Sequence, residues 1–152
     1  MQESVALTAA DRRILDALSR DARQSWVALG RAVNLSPSAC QRRVEALQAA
    51  GVVRGFGVRT DPRALGLTVH AFVQLRVERQ KVERARALRR TVAAYPEVVG
   101  AWKLSGAVDY LVEVRVADIA ALSAFLDEKL LGLDGVTDAS SAIVLDEVAR
   151  GS

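Results

Sequence analysis

The residues best equipped to recognise another molecule lie between 36 and 59. In SPSACQRRVEAL, Ser38, Gln41, Arg42 and Glu45 share one helical face, while Cys40, Val44 and Leu47 follow the i, i+4, i+7 spacing of a buried stripe. The outward set offers a hydroxyl, an amide and a guanidinium, groups that suit base edges in a major groove, where Arg pairs with guanine and Gln with adenine. Arg43 falls three residues after Cys40, on the flank of the buried stripe, so its stem is expected to pack and its guanidinium to pair with an acid or a phosphate. Arg54 and Arg59, just beyond, suit phosphate contacts that position a protein without specifying sequence. With the cap residue Ser36, the candidate DNA-contacting set is Ser36, Ser38, Gln41, Arg42, Arg43, Arg54 and Arg59. A solvated amphipathic helix would show a similar polar face. The surrounding elements must decide between the two.

Those elements read as three helices. Thr8 is an N-cap candidate with Asp11 three residues on, and Leu7, Ile14, Leu15 and Leu18 give an apolar stripe over a helix at 9–20. A shorter helix spans 26–33, closed by Asn34, a residue that tolerates the left-handed conformation. Ser36 and Pro37 restart the chain as a capped third helix, which Gly51 ends. Two helices joined by a tight Asn-Leu-Ser turn meet the requirements of a helix-turn-helix. Residues 52–60, with glycines at 55 and 57, suit two short strands and a turn, or a wing; Asp61-Pro62 then breaks the chain.

The second half alternates between two periods. VHAFVQLRVE (69–78) alternates every second residue, 81–94 is helical up to Pro96, and 97–105 and 108–116 form a hairpin about Gly106-Ala107. Asp118 caps a further helix, and a last strand runs over 136–148. The order β-α-β-β-α-β predicts a ferredoxin-like split unit with helices on one sheet face. The fold class is therefore α+β: a winged, three-helix helix-turn-helix over 1–60, a linker at 61–68 and an α/β domain over 69–152. The uncovered sheet face calls for subunit pairing.

Charge follows the same division. Residues 1–60 hold nine arginines against five acids, whereas 61–152 hold twelve basic residues against thirteen acids. A polyanion is drawn to the first half. With one cysteine, Cys40, read as a core residue, and one histidine, His70, read as structural, neither a disulfide nor a structural zinc site is expected. No apolar run approaches the ~18 residues that cross a bilayer, and the start lacks a signal-peptide pattern, so the expected location is the cytosol, with no cofactor.

The segments DRRILDALSRDAR, LSPSACQRRVEALQAAGVVRGF and TDPRALGL resemble the signature of Lrp/AsnC (feast/famine) transcriptional regulators. YPEVVGAWKLSGAVDYLVEV and SSAIVLDEV resemble the same family's effector domain, so nearly the whole chain is covered in order. The resemblance implies a regulator that binds double-stranded DNA, a homodimer built through the α/β domains and assembled into tetramers or octamers, and an amino acid or related metabolite that modulates it. It places the effector region on Ser105, Gly106, Ala107, Val108 and Asp109, with Ser140 and Ser141 as wall residues. Family members often have Gly-Asp-Tyr-Asp in that turn; Ala107 and Val108 replace the inner pair here. Chemically, Asp109 could accept an ammonium group, and Gly106 permits close approach to backbone N–H groups; a plain hairpin turn is the alternative. Two other functions compete. Subunits of siroheme decarboxylases resemble the same family, a reading to which Arg84, Arg86, Arg89 and Arg90 lend basic character but which a single histidine supports poorly; an effector-free architectural DNA-binding protein is the other.

Overall fold

The computed structural model describes residues 6–78 and 82–148, and the chain divides between Arg59 and Thr60 into two compact units. The first holds α1 (Ala9–Arg20), α2 (Trp26–Val33) and α3 (Pro37–Ala49). Each begins on a side-chain oxygen that satisfies an orphan N–H: Thr8 accepts from Asp11, Ser25 from Ala28 and Ser36 from Ala39. At α1 the cap is reciprocal, because Thr8 N and Oγ1 both donate to Asp11 Oδ2, at 2.9 and 2.6 Å. Ile14, Leu29, Val33, Cys40, Val44 and Leu47 interlock as the core of this unit.

Asn34, at φ 59°, ends α2 in the left-handed region, and the turn folds back so tightly that a Cβ on Gly30 would lie 2.6 Å from the Leu35 carbonyl oxygen. Glycine is therefore required there. Helix α3 ends in a Schellman motif, with Gly51 N donating to the Gln48 carbonyl and Val52 N to that of Leu47, both at 2.9 Å. The two strands expected over 52–60 do not form. Phe56 and Val58 are exposed, Val58 to 89%, so a hairpin there would bury no apolar face and has nothing to hold its register.

The second unit carries β1 (Val69–Val77), α4 (Val82–Ala94), β2 (Val98–Lys103), β3 (Tyr110–Val116), α5 (Ile119–Ala124) and β4 (Val136–Ile143). The expected start of α4 at residue 81 lies outside the described residues. Helix α5 is capped by Asp118 and runs on into a wider helical stretch at Phe125–Leu130, where Leu131 N reaches the Leu126 carbonyl. The strands form one antiparallel sheet ordered β2-β3-β1-β4, as the split unit demands. Residues 61–68, expected as a linker, group with this unit, and Thr68 Oγ1 donates to the Ala117 carbonyl.

Alternation sorts the two sheet faces. Ala71, Val73 and Leu75 pair with Val114, Val112 and Tyr110, and all six are buried beneath Leu88 and Val92 of α4 and Leu122, Phe125 and Leu130. His70, Phe72, Gln74, Leu111, Glu113 and Arg115 occupy the opposite face, which no helix covers among the described residues. Strand β4 stops at Ile143, short of the expected 148. Its partner β1 begins at Val69 opposite Val116, so beyond Val144, whose N–H reaches the His70 carbonyl, there is little strand left to pair with.

The Asp11 carboxyl is held below the usual carboxylate range, first by the Thr8 hydrogen bonds and then by the Arg43 guanidinium beside it. Its contribution is therefore complete above the ordinary carboxylate pKa and is lost as pH falls through the depressed value. Asp11→Ala should destabilise the first unit by about 1–2 kcal/mol, and Asp11→Asn should flatten the acid limb of its stability profile. The measurement is urea unfolding of the full chain followed by Trp26 fluorescence, with Trp102, the second of two tryptophans, replaced by Phe. A profile unchanged by either substitution contradicts the assignment.

Candidate nucleic-acid interface and effector loop

Once α3 is docked through Cys40, Val44 and Leu47, its remaining side chains are sorted by what holds them. Burial pushes the Cys40 thiol up, leaving it a small core residue. Arg43 is drawn inward, with Nη1 2.8 Å from Asp11 Oδ1 and 3.3 Å from Thr8 Oγ1. The acid expected for it is thus Asp11 of the α1 capping box, and Arg43 serves as a tie between helices. Ser36, Ser38, Gln41 and Arg42 remain exposed. Gln41 Nε2 donates to Glu45 Oε1 at 2.9 Å, which orients the amide along the helix, and the Ser36 and Ser38 hydroxyls lie 3.3 Å apart. Arg42 has no ion pair among the described residues.

Arg54 and Arg59 are exposed on the extended segment after α3, not on a wing hairpin. One cation escaped the sequence reading. Arg31, in the last turn of α2, lines a shallow groove with Asn34 and the α3 cap residue Ser36. Its signal was present as a basic residue five before Ser36, on the helix that crosses the backbone in this motif. The exposed face of α3 thus carries adjacent donors and acceptors, with further cations nearby. It can read base edges and bind phosphates.

In the second unit, residues 104–109 form a loop longer than the two-residue turn expected, closed by Leu104 N donating to the Asp109 carbonyl at 2.8 Å. Ser105, Gly106 and Ala107 are exposed, while Val108 and Asp109 are partly covered. Asp109 is held on three sides: besides accepting from Leu104 N at its carbonyl, its N–H donates to the Leu75 carbonyl at 2.9 Å, and its Oδ2 accepts from Val77 N at 2.9 Å. This carboxylate therefore ends β1 as well as facing the loop. Ser140 pairs with Gln74 on the uncovered face and Ser141 with Val73 on the helix-covered side, so the two serines point to opposite faces of an edge strand. His70 Nε2 lies 2.8 Å from Glu113 Oε1 and its ring 5.2 Å from that of Phe72, a structural placement. Trp102 is half exposed on the uncovered face, folded over Gly100, where a Cβ would come within 2.4 Å of the indole.

A capped, tightly turned helix-turn-helix followed by a split βαββαβ sheet with one bare face defines a two-domain DNA-binding regulator. Comparison with known proteins agrees. The AsnC-type helix-turn-helix domain matches residues 7–48 and the Lrp/AsnC ligand binding domain matches residues 70–152. The chain is 31% identical over 138 residues to the DNA-binding transcriptional activator DecR of Escherichia coli (strain K12), covering 91% of each protein. It is 33% identical over 142 residues to the leucine-responsive regulatory protein of the same organism, covering 93% of this chain and 87% of that one. A transcriptional regulator of Neisseria meningitidis solved in complex with L-Met superposes with a TM-score of 0.89 at 34% identity, covering 95% and 94% of the two chains. The protein belongs to the Lrp/AsnC family and is a DNA-binding transcriptional regulator.

Because Asp109 Oδ2 satisfies the Val77 N–H, Asp109→Ala should cost the second unit about 1 kcal/mol, with Asp109→Asn recovering part of it. Thermal denaturation of the full chain at matched pH checks this. Equal melting of Asp109→Ala and wild type would show that the bond carries no stability.

Proposed function

We propose that the protein reads a specific operator through Ser38, Gln41 and Arg42, positioned on the phosphates by Ser36, Arg31, Arg54 and Arg59. The observation that carries this reading is the division of labour on α3: Arg43 is tied back to Asp11 while its neighbour Arg42 is exposed, with no ion pair among the described residues. A small effector, an amino acid or close relative, sets assembly or operator affinity through Ser105–Asp109, with Ser140 and Ser141 contributing where subunits meet. The L-Met bound to the Neisseria meningitidis regulator supports that ligand class.

Subunits pair as homodimers, and further as tetramers or octamers, over the uncovered sheet face. Support comes from the apolar groups on that face, the half-exposed Trp102 with Phe72 and Leu111, none of them under a helix among the described residues. Among the described residues no helix is long and apolar enough to cross a membrane, and the reading places the protein in the cytoplasm.

Gel-shift titrations against selected operators test the assignment. Gln41→Ala or Arg42→Ala should relax preference at particular base pairs by about 1–3 kcal/mol, whereas Arg31→Ala or Arg54→Ala should weaken all sequences alike and lower the salt slope by about one. If every substitution acted equally on all DNA, α3 would not be the base reader. For the effector, a thermal-shift screen of amino acids, L-methionine first, is read beside light scattering for mass. A ligand at about a hundred times its Kd should add about 2.7 kcal/mol. No shift and no change in mass with any of them would remove the effector from the proposal.

A further inference from the structure

Beneath the C-terminal half of α4, the helix-covered face of the sheet is not filled. The register places Ala101 opposite Val112 and Lys103 opposite Tyr110, so after Val98 the end of β2 contributes to this face only a methyl and a long cation, where a covered strand ordinarily places large apolar side chains. The result is a cavity of about 220 Å³ whose floor is Leu75, Leu88, Val92 and Tyr110, all buried.

Its charged groups are of one sign. Arg89 and Lys103 line it, no acid does, and neither cation has an ion pair among the described residues. Arg89 is held in place, since its Nε donates to the Ala85 carbonyl at 3.1 Å, which leaves the terminal guanidinium nitrogens to a ligand. The Lys103 stem can cover the apolar wall while its ammonium stays at the rim.

We propose that this cavity binds a small apolar monocarboxylate that lacks an α-ammonium group, such as a branched-chain acid. The apolar body fills the floor and the carboxylate meets Arg89 and Lys103. The volume corresponds to about seven waters, hence to a body of roughly six to eight heavy atoms. An α-amino acid is disfavoured because its ammonium group would find two cations and no acceptor carboxylate among the lining residues. The site is separate from residues 105–109, none of which lines it, yet Lys103 leads into that loop and Tyr110 leaves it. Occupancy would therefore stiffen both ends of the loop. The proposal does not depend on the amino-acid reading of the loop itself.

The test uses the full chain, titrated by isothermal calorimetry with 4-methylpentanoate, its neutral amide and L-leucine. Saturable binding of the acid is expected, with the amide and L-leucine weaker by about tenfold or more. The double substitution Arg89→Gln and Lys103→Gln should remove that advantage. Ala101→Leu, and independently Ala93→Leu, should fill the cavity and abolish binding of the acid while any response to L-methionine in DNA binding persists. No saturation up to about 10 mM acid, equal affinity for acid and amide, or undiminished binding in whichever filled variant folds with a native circular-dichroism spectrum would overturn the proposal.

Discussion

The contact on which the DNA-binding unit depends is the meeting of Thr8, Asp11 and Arg43. One carboxylate closes the first turn of α1, receives two bonds from Thr8 and then accepts Arg43 from α3. An exposed ion pair is worth little by itself, but Asp11 is 9% exposed and its lone pairs are filled from within its own helix as well as from α3. The rotation of α3 is thereby set from two sides, by Cys40, Val44 and Leu47 beneath and by Arg43 at the flank. Adjacent arginines acquire opposite duties from a 100° step around one helix: Arg43 belongs to the fold and Arg42 to the partner.

Much of this was legible in the chain. The caps at Thr8 and Ser36 and the stop at Gly51 placed α1 and α3 closely, because each feature satisfies a backbone group that has no other partner. The alternation of 69–77 and 110–116 likewise announced a half-covered sheet, since a period of two has one structural meaning. Arg43 was legible in kind, as a residue seeking an acid. Which acid it meets depends on how α1 crosses α3, and no local pattern encodes that crossing.

Part of what escaped the sequence has its deciding partner far along the chain, and part was local but unread. Residues 52–60 looked like strands by composition, but strands need a surface to cover, and Phe56 and Val58 find none. Asp109 looked free to meet a ligand, yet the ends of β1 and β3 adjoin, and its oxygen is nearer to Val77 N than any sequence rule anticipates. Ser140 and Ser141 looked like one feature until the pleat assigned them to opposite faces. Adjacency in sequence is a weak guide to a shared wall whenever the element is a strand.

The uncovered sheet face shows how a surface can be prepared for burial while still carrying ionisable groups. Phe72 and Leu111 give it apolar area, but Glu113 lies among them, and an unpaired carboxylate buried against a second copy would carry a desolvation penalty of several kcal/mol. In a two-fold pairing the same patch meets itself, so a lone Glu113 would also add like charge across the axis. His70 at 2.8 Å removes part of that problem before any subunit arrives. The pair supplies Glu113 with a hydrogen-bond donor from its own chain whichever tautomer or charge state lets Nε2 carry the proton. A carboxylate satisfied in this way can be covered by an identical face without demanding a new charge partner from it, a condition that a self-complementary interface has to meet at each such group.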